Sequence, residues 1–385
     1  MPVPPDVHAL LDIGLARGLH SIGIAPAAPF TRARTILEER KARGLHADMA
    51  FTYKNPTRST DPGAAVRGAR SVVVGAWRYQ EAAQARPTGA LGAVARYAWR
   101  DHYVPLRAAL WAMAHHLRAL GWRAVAFADD NSLVDREAAY LAGLGWYGKN
   151  ANILLPGAGS WFVLGAVVTD APLPAAAEPL ADGCGSCRRC LDGCPTGAII
   201  APGVVDANRC LAWLVQRPGP FPVEYRVALG DRIYGCDDCQ EVCPPNVRSA
   251  QPGPSAAWPD SSDDSRAPAR PWVGLVELLE ASDDEVLATC GSWYLADRDP
   301  RWLRRNALVA LANVAARAPA GGTADGTVDS AVVAVLHRYL TGIDPMLRGH
   351  AVWAARRLGR DDLLVLLGPD QPAEVLAELA LTSAS

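Results

Sequence analysis

Cys184-Gly-Ser-Cys187-Arg-Arg-Cys190-Leu-Asp-Gly-Cys194-Pro195 is the stretch on which the reading of this chain turns. The spacing is x2, x2, x3, closed by Cys-Pro. Three closely spaced thiolates wrap one corner of a [4Fe–4S] cube. The fourth cysteine, held by the proline, turns away to ligate a second cluster. A partner run follows at Cys236-x2-Cys239-x3-Cys243-Pro244, one cysteine short of the full pattern, and Cys210 supplies it from a distance. The count then closes. One cluster takes Cys184, Cys187, Cys190 and Cys243, and the other takes Cys194, Cys210, Cys236 and Cys239. Two zinc sites would use the same eight thiolates, but zinc ribbons have no need to exchange fourth ligands. Of the nine cysteines, only Cys290 lies outside the segment, and it reads as a buried core residue.

Working outward, residues 1–175 alternate helical and strand-like patterns. Asp6 to Arg17, residues 31–44 and Leu106 to Leu120 have helical apolar spacing. Ile22 to Ala25, Ser71 to Trp77, Arg123 to Ala128 and Ser160 to Val168 are short apolar runs of strand type. Alternation of this kind predicts an α/β domain. Residues 251–270 are rich in Pro, Ser and Asp and read as a linker or surface loop. Residues 271–385 read as all-helical with a weak repeat. Asp299-Pro300 leads into Leu303 and Asp344-Pro345 into Leu347, a step of 44 residues, inside the range of about 40–47 for HEAT-type repeats.

The chain of 385 residues predicts two or three domains at roughly 150 residues each. Half of it is hydrophobic and a fifth charged, which excludes global disorder. A formal charge of −2 excludes a strongly basic nucleic-acid protein, though not a local basic patch. Nine cysteines without a signal sequence or a span of membrane length are expected in a cytoplasmic protein and not as a disulfide framework. The expected fold class is α+β and multidomain: an α/β domain over 1–175, a two-cluster ferredoxin-like domain over 176–250, the linker, and an α-helical HEAT-like region over 271–385.

The chain resembles the epoxyqueuosine reductases, which complete the queuosine modification of tRNA. The resemblance rests on Gly143-Leu-Gly-Trp-Tyr-Gly-Lys-Asn150, Gly159-Ser-Trp-Phe-Val-Leu-Gly165, the run ending Cys194-Pro-Thr-Gly-Ala-Ile199, Arg232-Ile-Tyr-Gly-Cys-Asp-Asp-Cys-Gln240 and Arg301-Trp-Leu-Arg-Arg-Asn306. It implies a cobalamin in the N-terminal domain, held base-off with no protein ligand below the cobalt. It implies an external electron donor of flavodoxin, ferredoxin or reductase type, a tRNA containing epoxyqueuosine as substrate, no membrane association and a monomeric state.

The family's acidic proton donor matches Asp129 in Phe127-Ala-Asp-Asp130. Epoxide deoxygenation takes two electrons and two protons and releases water, so a general acid is needed at the oxygen. Asp130 is the adjacent rival, and a helix cap is the structural alternative for either. The pattern after the donor departs from the family's: Asp129-Asp-Asn-Ser-Leu-Val-Asp135-Arg136 lacks a proline and carries Asp135 where a glutamate is usual. Tyr97, His102 and Tyr103 match a family motif only loosely. Arg58, Gly148, Lys149, Asn150 and Ile153 are the resemblance's candidates for binding the cofactor, with a tight turn as the alternative for the glycine-rich part.

For tRNA, Arg301, Arg304, Arg305, Arg348, Arg356, Arg357 and Arg360 would form a phosphate-binding face, or else pair with nearby aspartates. Trp293 and Tyr294 are candidates for base stacking. Two rival functions stand beside this one: a cobalamin and iron–sulfur reductase of a small molecule, and a non-enzymatic electron carrier.

Overall fold

The computed structural model describes residues 2–82, 84–175, 178–249, 269–317 and 328–381. Most of the expected linker, 251–268, lies outside them. The chain forms two compact units, each drawn from three separate segments.

The first unit comprises Met1–Ala82, Arg100–Cys210 and Asp237–Pro268. Its centre is a four-stranded sheet in the order Ser21–Pro26, Ser71–Arg78, Phe162–Thr169, Ala124–Ala128. Helices and strands alternate along the chain as the sequence suggests. Every pairing in the sheet is antiparallel, however, so the α/β expectation holds for element order and not for a parallel sheet. Ser71–Arg78 is central and buried at seven of its eight positions, which explains why it is a continuous apolar run instead of an alternating one. The helix Tyr103–Ala119 buries Leu106, Leu110, Met113 and Leu117, spaced at three and four residues. Val7–Ala16 starts at Asp6, whose carboxylate accepts from the His8 and Ala9 amides at 2.9 and 3.3 Å.

The second unit comprises Ala83–Trp99, Leu211–Cys236 and Ala269–Ser385. It is mainly helical around a three-stranded sheet, Arg232–Tyr234, Leu91–Val94, Trp272–Gly274. The expectation of an all-helical stretch from 271 is therefore corrected at its start. Trp272–Gly274 pairs antiparallel with Leu91–Val94, a partner some 180 residues away that no local periodicity announces. The two proline-led segments of the sequence repeat are the helices Arg301–Arg317 and Pro345–Arg357. They contribute Leu303, Leu308, Leu347, Val352 and Trp353 to one apolar core. Asp344 caps the second of them through the Leu347 amide at 2.9 Å. Among the described residues no helix is long and apolar enough to cross a membrane.

Candidate metal centre and active-site loop

The first cysteine set is brought together in the first unit. Cys184, Cys187, Cys190 and Cys243 line one cavity of about 230 Å³, with Trp146, Gly148, Lys149, Asn150, Gly183 and Arg248. Burial, then the neighbouring thiols Cys184, Cys190 and Cys187, push the Cys243 thiol up to about 11, against the backbone amide of Asn246. Cys190 is raised in the same way, by burial and then by Cys184. Of the second set, Cys194, Cys210 and Cys239 belong to the same unit. Burial pushes the Cys239 thiol up, and Cys210 and Cys194 add to it. Cys236 ends the preceding segment, three residues before Cys239 in the chain.

Among the described residues no group of three or more His, Cys, Asp or Glu side chains converges tightly enough to hold a single metal ion. Four thiols lining one cavity suit the corners of an iron–sulfide cube. The ninth cysteine, Cys290, is 1% exposed in the core of the second unit.

Two devices position these loops. One is a buried amide network. Gln240 Nε2 donates to the Ser160 carbonyl at 3.0 Å, to its hydroxyl at 3.0 Å, and to the Tyr79 hydroxyl at 3.2 Å. Asn246 Oδ1 accepts from the Ser160 amide at 2.6 Å, and its Nδ2 donates to the Gln240 carbonyl at 2.8 Å. The short helices Asp238–Glu241 and Pro244–Ser249, which carry Cys239 and follow Cys243, are thereby tied to the start of a central strand. Sequence reasoning missed this role for Gln240, Asn246 and Ser160. Nothing in local spacing marks an amide as buried.

The other device is a hairpin. Trp146–Tyr147 pairs with Ile153–Leu154, and its tip carries Lys149 and Asn150. The Lys149 ammonium donates to the Gly185 and Cys187 carbonyls at 2.6 and 2.9 Å. Asn150 Nδ2 donates to the Cys239 carbonyl at 3.4 Å. Gly148, Lys149 and Asn150 thus sit against the cysteine loops. Ile153 is 4% exposed and belongs to the apolar core. A Cβ on Gly148 would lie 2.3 Å from Leu154, so the glycine serves the hairpin's own packing.

The loop after Ala124–Ala128 carries the acids. Asp129 has φ +55°, a left-handed backbone that aspartate tolerates better than most residues. Its rival Asp130 shapes the turn instead, accepting the Ser132 amide at 2.7 Å. The following helix, Asp135–Leu141, has Val134 at its N-cap and no side-chain cap. The capping alternative therefore fails for both aspartates. Asp129 is exposed, yet the protein packed around it raises its pKa; Asp101 and Asp130 add to the rise, and Arg107 opposes it.

Asp135 is raised well above the ordinary carboxylate range by burial and then by Asp129. Tyr103 is raised by burial, then by Asp129 and Asp135. Tyr79 is raised by burial, then by Asp237, with the Gln240 hydrogen bond opposing. Ionisable groups thus run from Asp129 through Asp135 and Tyr103 to Tyr79, which bonds the amide beside Cys239. This is a concentration of perturbed acids of the kind found at functional sites.

Arg58 lies on the short helix Pro56–Ser59, exposed, and the Ser59 carbonyl accepts the Val134 amide at 2.9 Å. The structure therefore brings Arg58 to the acid-bearing loop and takes Lys149 and Asn150 to the cysteines. His102 is 2% exposed with its ring 5.7 Å from Tyr79. Tyr97 belongs to the second unit, 6.1 Å from Tyr234.

Of the arginines expected on one face, Arg305 is corrected, and others follow the pairing alternative. Arg305 is fully buried and donates to the Leu214 carbonyl at 2.9 Å and the Arg217 carbonyl at 2.8 Å. Arg301 bridges Asp299 and Asp344 at 2.6 and 3.3 Å. Arg304 pairs with Asp283, Arg360 with Asp362, and Arg356 donates to carbonyls of 378, 379 and 381. Arg348 donates to Gly342 and Gln371. These guanidiniums are largely committed within the protein. Trp293 is buried and stacks on Tyr234 at 4.6 Å, which removes it as a base platform; Tyr294 is 45% exposed.

Comparison with known proteins agrees with this geometry. Residues 183–246 match the model of a 4Fe-4S double cluster binding domain. An epoxyqueuosine reductase of Bacillus anthracis is 32% identical over 351 residues, covering 89% of this chain and 87% of its own. One of Burkholderia pseudomallei is 35% identical over 382 residues, covering 89% and 90%. A crystal structure of epoxyqueuosine reductase with an epoxyqueuosine-modified tRNA-Tyr stem loop matches 97% of this chain and 96% of that one, with a TM-score of 0.83 and 28% identity. A Bacillus subtilis structure, described with its catalytic aspartate loop swung out of the active site, matches at a TM-score of 0.80 and 27% identity, over 97% of this chain and 96% of that one.

Proposed function

Because the chain belongs to the epoxyqueuosine reductase family and is an oxidoreductase with an iron–sulfur binding domain, we propose that it reduces epoxyqueuosine to queuosine at the wobble position of tRNA, with cobalamin as its second cofactor and Asp129 as proton donor. The observation that carries this reading is the match of 97% of the chain to a solved relative holding an epoxyqueuosine-modified tRNA stem loop.

Cys184, Cys187, Cys190 and Cys243 would hold one [4Fe–4S] cluster. Cys194, Cys210, Cys236 and Cys239 would hold the other. When bound, clusters supply one-electron transfer, and cobalamin supplies low-valent cobalt able to deliver an electron pair. Residues around Asp129 would line the site of the cobalamin. His102 is buried, with its ring packed near Tyr79. Arg58, exposed and next to Ser59, whose carbonyl accepts the Val134 amide, would meet an acidic group of such a cofactor or of the substrate.

The chemistry of this chain's own residues is then acid catalysis. An epoxide that gains two electrons and two protons becomes an alkene and water. Asp129, with its pKa raised, keeps a proton closer to neutral pH than an ordinary aspartate and can deliver it to the epoxide oxygen as the C–O bond breaks. The protein packed around it, with Asp101 and Asp130 beside it, disfavours its ionised form, and Arg107 opposes them. We further read the helices Arg301–Arg317 and Pro345–Arg357 as a HEAT-like region, the chain as a monomer, and its reductant as an external electron-transfer protein.

The test is single-turnover reduction of an epoxyqueuosine-tRNA by the reconstituted protein and by Asp129→Asn. Loss of a general acid predicts a fall of about 10²–10⁴-fold with both cofactors retained. Full activity in Asp129→Asn would remove Asp129 from the reaction.

A further inference from the structure

The cavity of the first cysteine set has an unusual charge balance. Its lining holds four cysteines, two cations, Lys149 and Arg248, and no carboxylate. Among the described residues the Lys149 ammonium reaches only main-chain carbonyls, those of Gly185 and Cys187, on the loop between the first two ligands. Arg248 lies on the helix Pro244–Ser249 that follows Cys243, and it lines the same cavity. A half-buried ammonium without a carboxylate partner is costly unless another negative charge faces it. A cube ligated by four thiolates is net negative, and one added electron makes it more negative by one charge. Cluster potentials follow that net charge and the hydrogen bonding around it.

We propose that Lys149, with Arg248 in support, sets the reduction potential of the cluster held by Cys184, Cys187, Cys190 and Cys243, raising it by favouring the reduced state. The role is one of tuning and positioning; Lys149 touches no substrate. The step concerned is a one-electron reduction, with the electron supplied by an external donor and no proton required at the lysine. The hairpin makes the placement rigid. Lys149 stands at the tip between Trp146–Tyr147 and Ile153–Leu154, its own carbonyl accepts the Gly203 amide at 2.9 Å, and its neighbour Asn150 is bonded to the Cys239 carbonyl. The cation is therefore held against the cluster loop from two sides and does not depend on a flexible surface contact.

The inference rests on the reading of the two cysteine sets as clusters, and iron analysis separates the two claims. Anaerobically reconstituted full-length protein should hold about eight irons per chain; markedly less iron in the parent protein would fail the cluster reading itself. On that protein, dithionite titration followed by EPR measures both midpoints. Lys149→Gln should lower one midpoint and leave the other in place, and Lys149→Arg should keep both near the parent values. Unchanged midpoints in Lys149→Gln with full iron would overturn the proposal, as would an equal fall in Lys149→Arg. If Lys149→Gln loses iron, Arg248→Gln decides. A smaller fall in one midpoint supports the proposal, and two unmoved midpoints overturn it.

Discussion

Asp129 draws its chemistry from crowding, although it is exposed. Its neighbours Asp101, Asp130 and Asp135 are acids, and Arg107 is the cation that opposes them. The protein packed around it and the like charges beside it both favour the neutral carboxyl. The protonated donor is therefore retained to higher pH than an ordinary aspartate would allow, and is lost as pH rises through the raised value. The pH–rate profile of single turnover should fall on its alkaline side with an apparent pKa above the ordinary aspartate value of 3.8, and Arg107→Gln should move that limb further up. A limb that stays put in Arg107→Gln would show that another group reports it. At this scale the sequence was informative for thiols and acids, whose spacing is itself chemical. It was blind to Arg305, which shares a short run with Arg301 and Arg304 yet faces inward, because tertiary contacts and not the local pattern consume its donors.

Among the elements, the cysteine runs and the strand Ser71–Arg78 were legible because their patterns are local. The loops that hold the cysteines were not. Lys149 and Asn150 read equally well as turn residues or cofactor contacts, and only the hairpin's approach to 185–187 and 239 decides. Gly159 has φ +76° and leaves 2.0 Å between a built Cβ and Asn246 Oδ1. Gly159→Ala combines backbone strain with displacement of the Asn246 amide that organises Ser160 and Gln240. It should destabilise the protein by about 2–4 kcal/mol in denaturant unfolding, and lower iron retention. A loss below about 0.5 kcal/mol, the range of an ordinary surface change, would mean that the network is not structural.

Across the whole molecule, stability is tied to long-range polar anchors that composition does not reveal. In the second unit His350 is buried. Its Nε2 accepts the Phe221 amide at 3.1 Å while Nδ1 contacts the Met346 carbonyl at 2.7 Å, so the neutral ring is the bonded form. Burial, and then Arg226, hold its pKa well below 6.5. The unfolded chain therefore takes up a proton near pH 6.5 that the folded protein refuses. Stability is full above that pH and declines as pH falls below it, by up to about 1.4 kcal/mol per pH unit for one such group. Urea midpoints between pH 7.5 and 5 should show this decline, and His350→Gln should flatten it at the expense of overall stability. An unchanged pH slope in His350→Gln would assign the decline to other groups.

The anaerobically reconstituted chain, supplied with cobalamin and a one-electron donor, is incubated with an epoxyqueuosine-containing tRNA-Tyr stem loop, and the nucleoside is read by mass spectrometry. The predicted result is loss of one oxygen from the modified base, giving queuosine, in the presence of both cofactors. An unchanged epoxide with iron and cobalamin fully bound would contradict the assignment of this chain as an epoxyqueuosine reductase.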